Sequence, residues 1–228
     1  MPSEVEYSVV PWKSHHRIIP SRFPPVNVFE DTARPEDLDA VFEVEALTND
    51  RLRDEVGDLR LVAPEDRISG PNSTVVMAAF THIGKASRFN DANFGAYYAG
   101  DSTDVAIAET RFHKELFMAY TNQPAQNLDM REYVGHPRDV PFVDIRRRKP
   151  PDILNPDPNQ YAAAQAFGRA HRGNGENGIL YPSVRCKGGE CMAAFRPTAV
   201  GLPVQGAHYL YFWDGTTISR VSTVSEVA

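Results

Sequence analysis

Residues 87–115 read SRFNDANFGAYYAGDSTDVAIAETRFHKE and predict a strand that leads directly into a helix. The run FGAYYAG is aromatic and is bounded by glycines, a pattern typical of short strands. Apolar residues then recur every four positions from Ala108 to Tyr120, which is close to the period of a helix. The polar residues 101–103 can cap its first turn. This helix is the most strongly predicted element of the chain.

Further elements are predicted on both sides of this segment. Residues 33–55, ARPEDLDAVFEVEALTNDRLRDE, have apolar positions at helical spacing, and Pro35 suits a first helical turn. The run TVVMAAF (74–80) is predicted as a strand because it is short, apolar and rich in strand formers. Downstream we expect, in order, a strand at VPFVDI (140–145), a helix at NQYAAAQAFGRAHR (159–172), strands at GILYPSVR (178–185) and CMAAFRP (191–197), and a hairpin at YLYFWDGTTISRV (209–221).

The order of these elements indicates a single α+β domain. Strands and helices are mixed without regular alternation, which argues against a doubly wound parallel sheet. The chain has 228 residues, 42% of them hydrophobic and 24% charged, so a substantial core is expected. No G-x-G-x-x-G follows a strand, and the P-loop, H-E-x-x-H and G-x-S-x-G motifs do not occur. Several common classes of nucleotide-binding protein and hydrolase are therefore not indicated.

Charge and hydropathy favour a cytoplasmic protein that does not bind nucleic acid directly. The formal net charge is −6, and the only basic cluster is RRRK at residues 146–149, which a solvated turn explains. No apolar run is long enough to span a bilayer, and the first residues lack the pattern of a signal peptide. We therefore expect no membrane association.

The two cysteines of the chain, Cys186 and Cys191, predict reduced thiols on a hairpin. They are separated by four residues, and no second Cys or His pair occurs at zinc spacing. A disulfide or a metal site is the alternative. The six histidines away from the predicted helix also lack ligand spacing, so no metal is assigned.

Glu109 lies inside the predicted helix, between Val105 and Phe112 at helical spacing. Its carboxylate should therefore emerge beside the apolar stripe, where it loses hydration and needs a partner or a function. The plainer alternative is a surface glutamate paired with His113 or Arg88.

Two neighbouring tyrosines, an arginine and a serine also have side chains suited to a binding site. Tyr97 and Tyr98 are neighbours on a strand and must point to opposite faces, so one ring is left for stacking. Arg88 precedes that strand, and its guanidinium can fork onto a diphosphate, although a surface arginine is the simpler reading. Ser183 lies in YPSVR with no general base or oxyanion donors nearby in sequence, so we expect a hydrogen-bonding serine rather than a nucleophile.

Taken together, four ordered motifs resemble the RES domain family, which is named for an arginine, a glutamate and a serine. The motifs are SRFND, FGAYYAG, AIAETRFHKE and NGILYPSVRCKGGECMAAFRP. On this sequence the family residues map to Arg88, Glu109 and Ser183, with Tyr98 as the aromatic companion. The resemblance covers residues 17–197. The usual glycine and tryptophan around the central arginine are replaced here by Ser87 and Phe89.

The resemblance implies a bacterial toxin that is encoded with an Xre-like antitoxin and consumes NAD. It implies a fold similar to the ADP-ribosyltransferases of the diphtheria-toxin type, without a metal. Some members degrade NAD by hydrolysis or phosphorolysis, whereas the ParT-like branch transfers ADP-ribose to a protein, an enzyme of nucleotide synthesis. The length of the chain favours the ParT-like branch. A non-catalytic module that binds a nucleotide or docks a partner is the alternative from another class.

The resemblance also implies a role for each site residue and boundaries for the catalytic core. Glu109 would stabilise the positive charge that develops on the ribose, and Ser183 would hydrogen-bond within the NAD pocket. Arg88 would hold the pyrophosphate, together with a first arginine that is either Arg17 or Arg22, of which Arg22 is preferred because an aromatic residue and a proline bend follow it. Tyr98 would pack on the nicotinamide or the ribose. Residues 1–70 are expected to form a partly helical N-terminal extension on a RES catalytic core of residues 71–228.

Overall fold

A computed structural model describes residues 5–21 and 57–225. In this part of the chain the strands are β1 (Tyr7–Val9), β2 (His15–Pro20), β3 (Tyr97–Gly100), β4 (Gln126–Gly135), β5 (Pro141–Asp144), β6 (Gly178–Pro182), β7 (Glu190–Ala194), β8 (Val204–Trp213) and β9 (Ile218–Val224). The helices are α1 (Ser73–Thr81), α2 (Thr103–Tyr120) and α3 (Ala162–Gly173). Short 3-10 turns also occur at Leu59–Leu61, Pro64–Asp66, Pro158–Gln160 and Pro197–Ala199.

The nine strands form one sheet in the order β1-β5-β6-β7-β3-β2-β4-β8-β9. Every neighbouring pair is antiparallel except β5 and β6, which are parallel. The α+β class and the single domain predicted from the sequence are thus confirmed. No helix within the described ranges is long and apolar enough to cross a membrane.

Most predicted elements are present, and three strands were missed. The strand and helix of residues 87–115 appear as β3 and α2, and the downstream predictions appear as β5, α3 and β6 to β9. The strands β1, β2 and β4 were not predicted. Among them β2 lies between β3 and β4 in the sheet. The helix predicted at residues 33–55 lies outside the described residues.

The strand predicted at residues 74–80 is wrong, because this segment is the helix α1. Its buried residues include Ser73, Val76, Met77 and Phe80, which are spaced by three and four positions and so share one helical face. Burial of that face in the core outweighs the strand propensity of the two valines. A short apolar run is compatible with either structure when read alone.

The helix α2 begins where the sequence predicted, but its buried face differs from the four-residue stripe. Ser102 caps the first turn by accepting a hydrogen bond from the Val105 backbone N–H. The buried residues are Val105, Ala106 and Met118, whereas Tyr120 at the end of the stripe is 81% exposed. The stripe therefore indicated a helix correctly without indicating which face is packed.

Two glycines allow α2 to approach the sheet closely. A Cβ atom on Gly100 would lie 2.7 Å from Cγ1 of Val105, and one on Gly189 would collide with Cγ2 of the same side chain. Gly100 ends β3, and Gly189 lies in the turn between β6 and β7. Since Val105 precedes Glu109 by about one helical turn, these contacts bring Glu109 toward that turn.

A polar network fixes the beginning of α2 against the other half of the sheet. The hydroxyl of Thr103 donates to Oε1 of Glu132 at 2.7 Å, and this oxygen also lies 2.9 Å from Nδ1 of His16. Tyr209 donates to the second oxygen of Glu132 at 3.3 Å. Because Glu132 is only 4% exposed, these hydrogen bonds are needed to satisfy its carboxylate. The start of α2 is thereby tied to β2, β4 and β8.

Candidate active site

Glu109 and Ser183 are 74 positions apart in sequence and are in direct contact. The hydroxyl of Ser183 donates to Oε1 of Glu109 at 2.7 Å. Neither Arg88 nor His113, the partners considered from the sequence, bonds Glu109, and Arg111 pairs with Glu115 instead. The second oxygen of Glu109 accepts no hydrogen bond from any residue in the described part of the chain. It is therefore available to a ligand.

The turn that follows β6 orients Ser183. Its Oγ accepts hydrogen bonds from the backbone N–H groups of Arg185, at 3.1 Å, and Cys186, at 2.9 Å. The Ser183 N–H donates to the Gly189 carbonyl at 2.8 Å, which closes the turn. With two donors on its oxygen and its own proton on Glu109, this hydroxyl has a fixed direction. Ser183 thus forms hydrogen bonds through both its hydroxyl proton and its oxygen.

Cys191 on β7 also contacts this carboxylate oxygen. Its thiol is 3.8 Å from Oε1 of Glu109, and the residue is 2% exposed. Burial, and then the negative charge of Glu109, raise the pKa of this thiol well above its usual range. The thiol therefore stays protonated and acts as a weak donor. Both cysteines are free. We call Glu109, Ser183 and Cys191 the carboxylate side of the site.

Tyr97 and Tyr98 point to opposite faces of β3, as predicted. Tyr97 is fully buried, whereas Tyr98 is partly exposed. The Tyr98 hydroxyl accepts from the Phe89 N–H at 2.8 Å and donates to Oδ1 of Asn90 at 2.9 Å. Burial of the ring raises the pKa of Tyr98 to about 12. The phenol thus orders the segment that contains Arg88.

Arg88 is buried in the protein rather than open to solvent, being 5% exposed. Its Nη1 donates to the carbonyls of Ile153 and Asn155 at 3.1 and 2.7 Å, and its Nη2 donates to the Tyr161 hydroxyl at 2.9 Å. The guanidinium also lies over the Tyr161 ring, 4.3 Å from its centroid. No carboxylate within the described ranges pairs with it or neutralises its positive charge.

A second arginine reaches the same loop. Arg185 donates through Nη2 to the Pro156 carbonyl and, at 3.5 Å, to the Tyr161 hydroxyl. Arg185 is not among the site residues predicted from the sequence, although it lies only two positions beyond Ser183 in YPSVR. We call Arg88, Arg185 and the loop of residues 153–161 the cation side of the site.

The first arginine of the family pattern has two candidates, and the structure describes one. Arg17 lies in β2, and its Nη1 donates to the backbone carbonyl of Tyr98 at 2.9 Å. Its guanidinium is 4.6 Å from the centroid of the Tyr97 ring, and its Nε is buried without a hydrogen-bond partner among the described residues. Arg22, which was preferred from the sequence, lies outside the described residues.

Neither cavity size nor metal-ligand clusters identify this site. A cavity of about 150 Å³ lies elsewhere, and its walls include Phe80, Phe94, Arg172 and Phe195 but none of the candidate residues. In the described part of the chain no group of three or more His, Cys, Asp or Glu side chains is arranged to hold a metal ion. The candidate site is defined by its hydrogen bonds and charges instead.

Comparisons with known proteins identify the class to which this fold and site belong. The RES domain family matches residues 64–214. Uncharacterized protein y4oC of Sinorhizobium fredii is 30% identical over 205 residues, which cover 90% of this chain and 84% of that protein. The chain therefore belongs to the RES domain family, as the four motifs predicted.

A solved structure is also similar to part of the chain. The M. tuberculosis MbcT-MbcA toxin-antitoxin complex has 17% sequence identity in a region that covers 53% of this chain and 70% of that chain. The TM-score is 0.37, and a value this low does not establish a shared fold.

Proposed function

We propose that this RES protein is the toxin of a bacterial toxin-antitoxin pair and that it consumes NAD. It cleaves the bond between nicotinamide and ribose and transfers ADP-ribose to a protein acceptor, as in the ParT-like branch. The observation that carries this proposal is the 2.7 Å hydrogen bond from Ser183 to Glu109, which leaves one carboxylate oxygen of Glu109 free. Membership of the RES family supports NAD as the substrate class.

The chemistry suits a carboxylate that is held in place but not strongly basic. When the glycosidic bond breaks, its electron pair leaves with nicotinamide, which departs as a neutral molecule and needs no strong general acid. Positive charge develops on the ribose, as in an oxocarbenium ion. Glu109 stabilises that charge and orients a ribose hydroxyl or the nucleophile. The nucleophile then bonds to the anomeric carbon and loses a proton.

The surrounding residues bind and orient the dinucleotide in this proposal. Ser183 and Cys191 fix the carboxylate, and Tyr98 packs beside the nicotinamide or the ribose. Arg88 contributes positive charge toward the pyrophosphate, although the loop 153–161 already occupies several of its donors. Arg17 is our choice for the first arginine, because it is anchored to the backbone of Tyr98 and has no described carboxylate partner.

The wider features expected from the resemblance belong to the same proposal. We propose that residues 71–228 form a catalytic core related to the ADP-ribosyltransferase fold and that residues 1–70 extend it. A toxin that consumes NAD in the cytoplasm must be neutralised in the host that makes it. We therefore propose a cognate Xre-like antitoxin that covers the site near Arg88.

The test uses purified full-length protein, NAD labelled in its adenylate half, and cell lysate. We expect nicotinamide release and a labelled protein band. Glu109→Gln should reduce release by at least about a hundredfold, since one preorganised electrostatic group is removed. Glu115→Gln is the matched control, because it makes the same change on the same helix at a carboxylate that instead accepts from the Ile218 N–H.

The products of this assay distinguish transfer to a protein from the alternative functions. Free ADP-ribose indicates hydrolysis, and its phosphate ester indicates phosphorolysis. Saturable NAD binding without nicotinamide release would support a non-catalytic binding module and contradict the proposed enzyme. Equal activity of Glu109→Gln and the unmodified protein would remove Glu109 from the mechanism.

A further inference from the structure

Arg185 is a partly buried cation with no carboxylate partner in the described part of the chain. Its guanidinium lies over Phe112, with the central carbon 3.3 Å from the ring centroid. Phe112 follows Glu109 on α2 by about one helical turn. The Nε of Arg185 is buried without a hydrogen-bond partner among these residues. Buried donors are nearly always paired, so this side chain has unused binding capacity.

Arg185 and Arg88 are joined through one hydroxyl. Tyr161 accepts from Nη2 of Arg88 at 2.9 Å and from Nη2 of Arg185 at 3.5 Å. The remaining acceptors of both guanidinium groups are neutral backbone carbonyls. Two arginines that converge on one tyrosine, with no acid from the described residues between them, form a doubly positive site. Such a site attracts an anion with two charges.

The surroundings reinforce this positive field. Partial desolvation, followed by the charges of Arg185, Lys85 and Arg88, lowers the pKa of His113. Desolvation and the charge of Lys85 also lower the pKa of Lys114. The nearby carboxylate, Glu109, is engaged by the Ser183 hydroxyl at its Oε1. The cation side is thus a place where an anion relieves repulsion between like charges.

We propose that Arg185 binds a phosphate of the substrate and, with Arg88, makes the site selective for a dinucleotide diphosphate over a mononucleotide. This inference rests on the proposed function, since it assigns a specificity residue to the same site. Arg185 itself connects the carboxylate side of the site to the cation side. The backbone N–H of Arg185 holds the Ser183 hydroxyl, and its side chain reaches the anion.

A purely structural role for Arg185 makes a different prediction. As a brace between the 183–189 turn and the loop 153–161, Arg185 would affect stability and leave the ranking of ligands unchanged. As a phosphate-binding residue, it affects binding of a diphosphate more than binding of a monophosphate. Ligand ranking therefore separates the two roles.

The experiment measures binding of ADP-ribose and of nicotinamide mononucleotide to the full-length protein by calorimetry. Arg185→Ala and Arg185→Gln should weaken ADP-ribose binding by about tenfold or more, because a charge-assisted hydrogen bond is lost. The affinity for the mononucleotide should change by about threefold or less, because Arg185 is expected to affect binding of a diphosphate more than binding of a monophosphate. Lys187→Ala is the matched control, since it removes an exposed cation from the same turn and should leave both ligands unchanged.

Steady-state kinetics provide the second readout. Either Arg185 variant should raise KM for NAD by a similar factor and leave kcat within about threefold, because the interaction is made before the chemical step. Circular dichroism checks the fold. If the alanine variant does not fold, the glutamine variant decides the question, since it retains much of the side chain that covers Phe112.

The outcomes distinguish this inference from the proposed function. If the unmodified protein binds ADP-ribose through Arg185 but releases no nicotinamide, the enzyme proposal fails and the binding role stands. If nicotinamide is released and a folded Arg185 variant keeps its KM and its affinity for ADP-ribose, the role of Arg185 is overturned. Equal losses for both ligands would also overturn the proposed selectivity.

Discussion

Glu109, Ser183 and Cys191 on the carboxylate side lie on a helix, in a turn closed by backbone hydrogen bonds and on a strand, whereas Arg88 and Arg185 on the cation side are held by an irregular loop. The first three residues are positioned by α2, the turn after β6 and the strand β7. The two arginines depend on carbonyl oxygens and one hydroxyl in residues 153–161. Backbone hydrogen bonds of the helix, the strands and the turn therefore hold much of the carboxylate side in place.

Because of this difference, substitutions on the two sides should have different consequences. A change on the carboxylate side should alter activity with little effect on stability, because the backbone there is held by the sheet. A change on the cation side should alter stability and binding together, because the side chains themselves hold the loop. Stability measurements on matched variants can therefore test the comparison.

Arg88→Met should produce the largest loss of stability. The substitution keeps an apolar stem but leaves two carbonyls and the Tyr161 hydroxyl without their donor, so we expect a loss of about 3 kcal/mol in the free energy of unfolding. Urea denaturation measures it. Arg169→Met is the control, because Arg169 is exposed and pairs with Asp91 at the surface, where a change is expected to cost less than about 1 kcal/mol.

The family resemblance implies that Arg88 holds the pyrophosphate, so on that ground alone its replacement is expected to weaken NAD binding before it affects folding. A folded Arg88→Met protein with undiminished stability and weak NAD binding would support that earlier expectation and contradict the structural comparison. Loss of both properties would agree with an arginine that holds the loop and faces the ligand.

Tyr161→Phe should cause a smaller loss of stability than Arg88→Met, and it tests the same difference between the two sides of the site. The ring that stacks under Arg88 is retained, and only the hydroxyl shared by the two arginines is removed. We expect a loss of about 1 kcal/mol in the free energy of unfolding, the usual net value for one hydrogen bond. Tyr120→Phe is the matched control, because its ring is 81% exposed.

A loss of 3 kcal/mol or more in Tyr161→Phe would show that the hydroxyl, rather than the carbonyls, holds the cation side. No measurable loss would show that the loop is fixed without it. Either result would change which contacts are inferred to hold the loop of residues 153–161 in place.

The two sides also differ in how far the sequence predicted them. Residues 97–120 combine a strand pattern, a capping residue and helical spacing within one short stretch, so β3, α2 and the place of Glu109 were predictable. The hydrogen bond to Ser183 depends on packing across 74 positions, and only the resemblance to RES proteins connected the two residues. The acceptors of Arg88 are backbone carbonyls of a loop, which leave no signal in residue identity.

The misread α1 and the missed β4 have related causes. In α1, a buried helical face overrode the strand propensity of Val75 and Val76. In β4, QNLDMREYVG contains several charged and polar residues that are tolerated because the strand is paired on both sides, by β2 and β8. Tertiary pairing of this kind is not encoded in a local pattern.

The smallest expected effect concerns the two cysteines, of which Cys186 lies in the turn after β6 and Cys191 lies on β7. Cys191 is 2% exposed with a raised pKa, whereas Cys186 in the turn is partly exposed. Because the thiolate is the reactive form, iodoacetamide at pH 8 should modify Cys186 at least about tenfold faster than Cys191. Mass spectrometry of the folded protein measures both rates, and urea-unfolded protein is the control.

The same labelling tests whether the two sides are independent. If the sheet fixes the carboxylate side by itself, Cys191 should stay protected in folded Tyr161→Phe, even though the loop 153–161 has lost a contact. Rapid labelling of Cys191 in that variant, with Cys186 unchanged, would mean that loosening of the loop reaches Glu109. The separation into two sides would then be wrong, and the site would have to be treated as one cooperative unit.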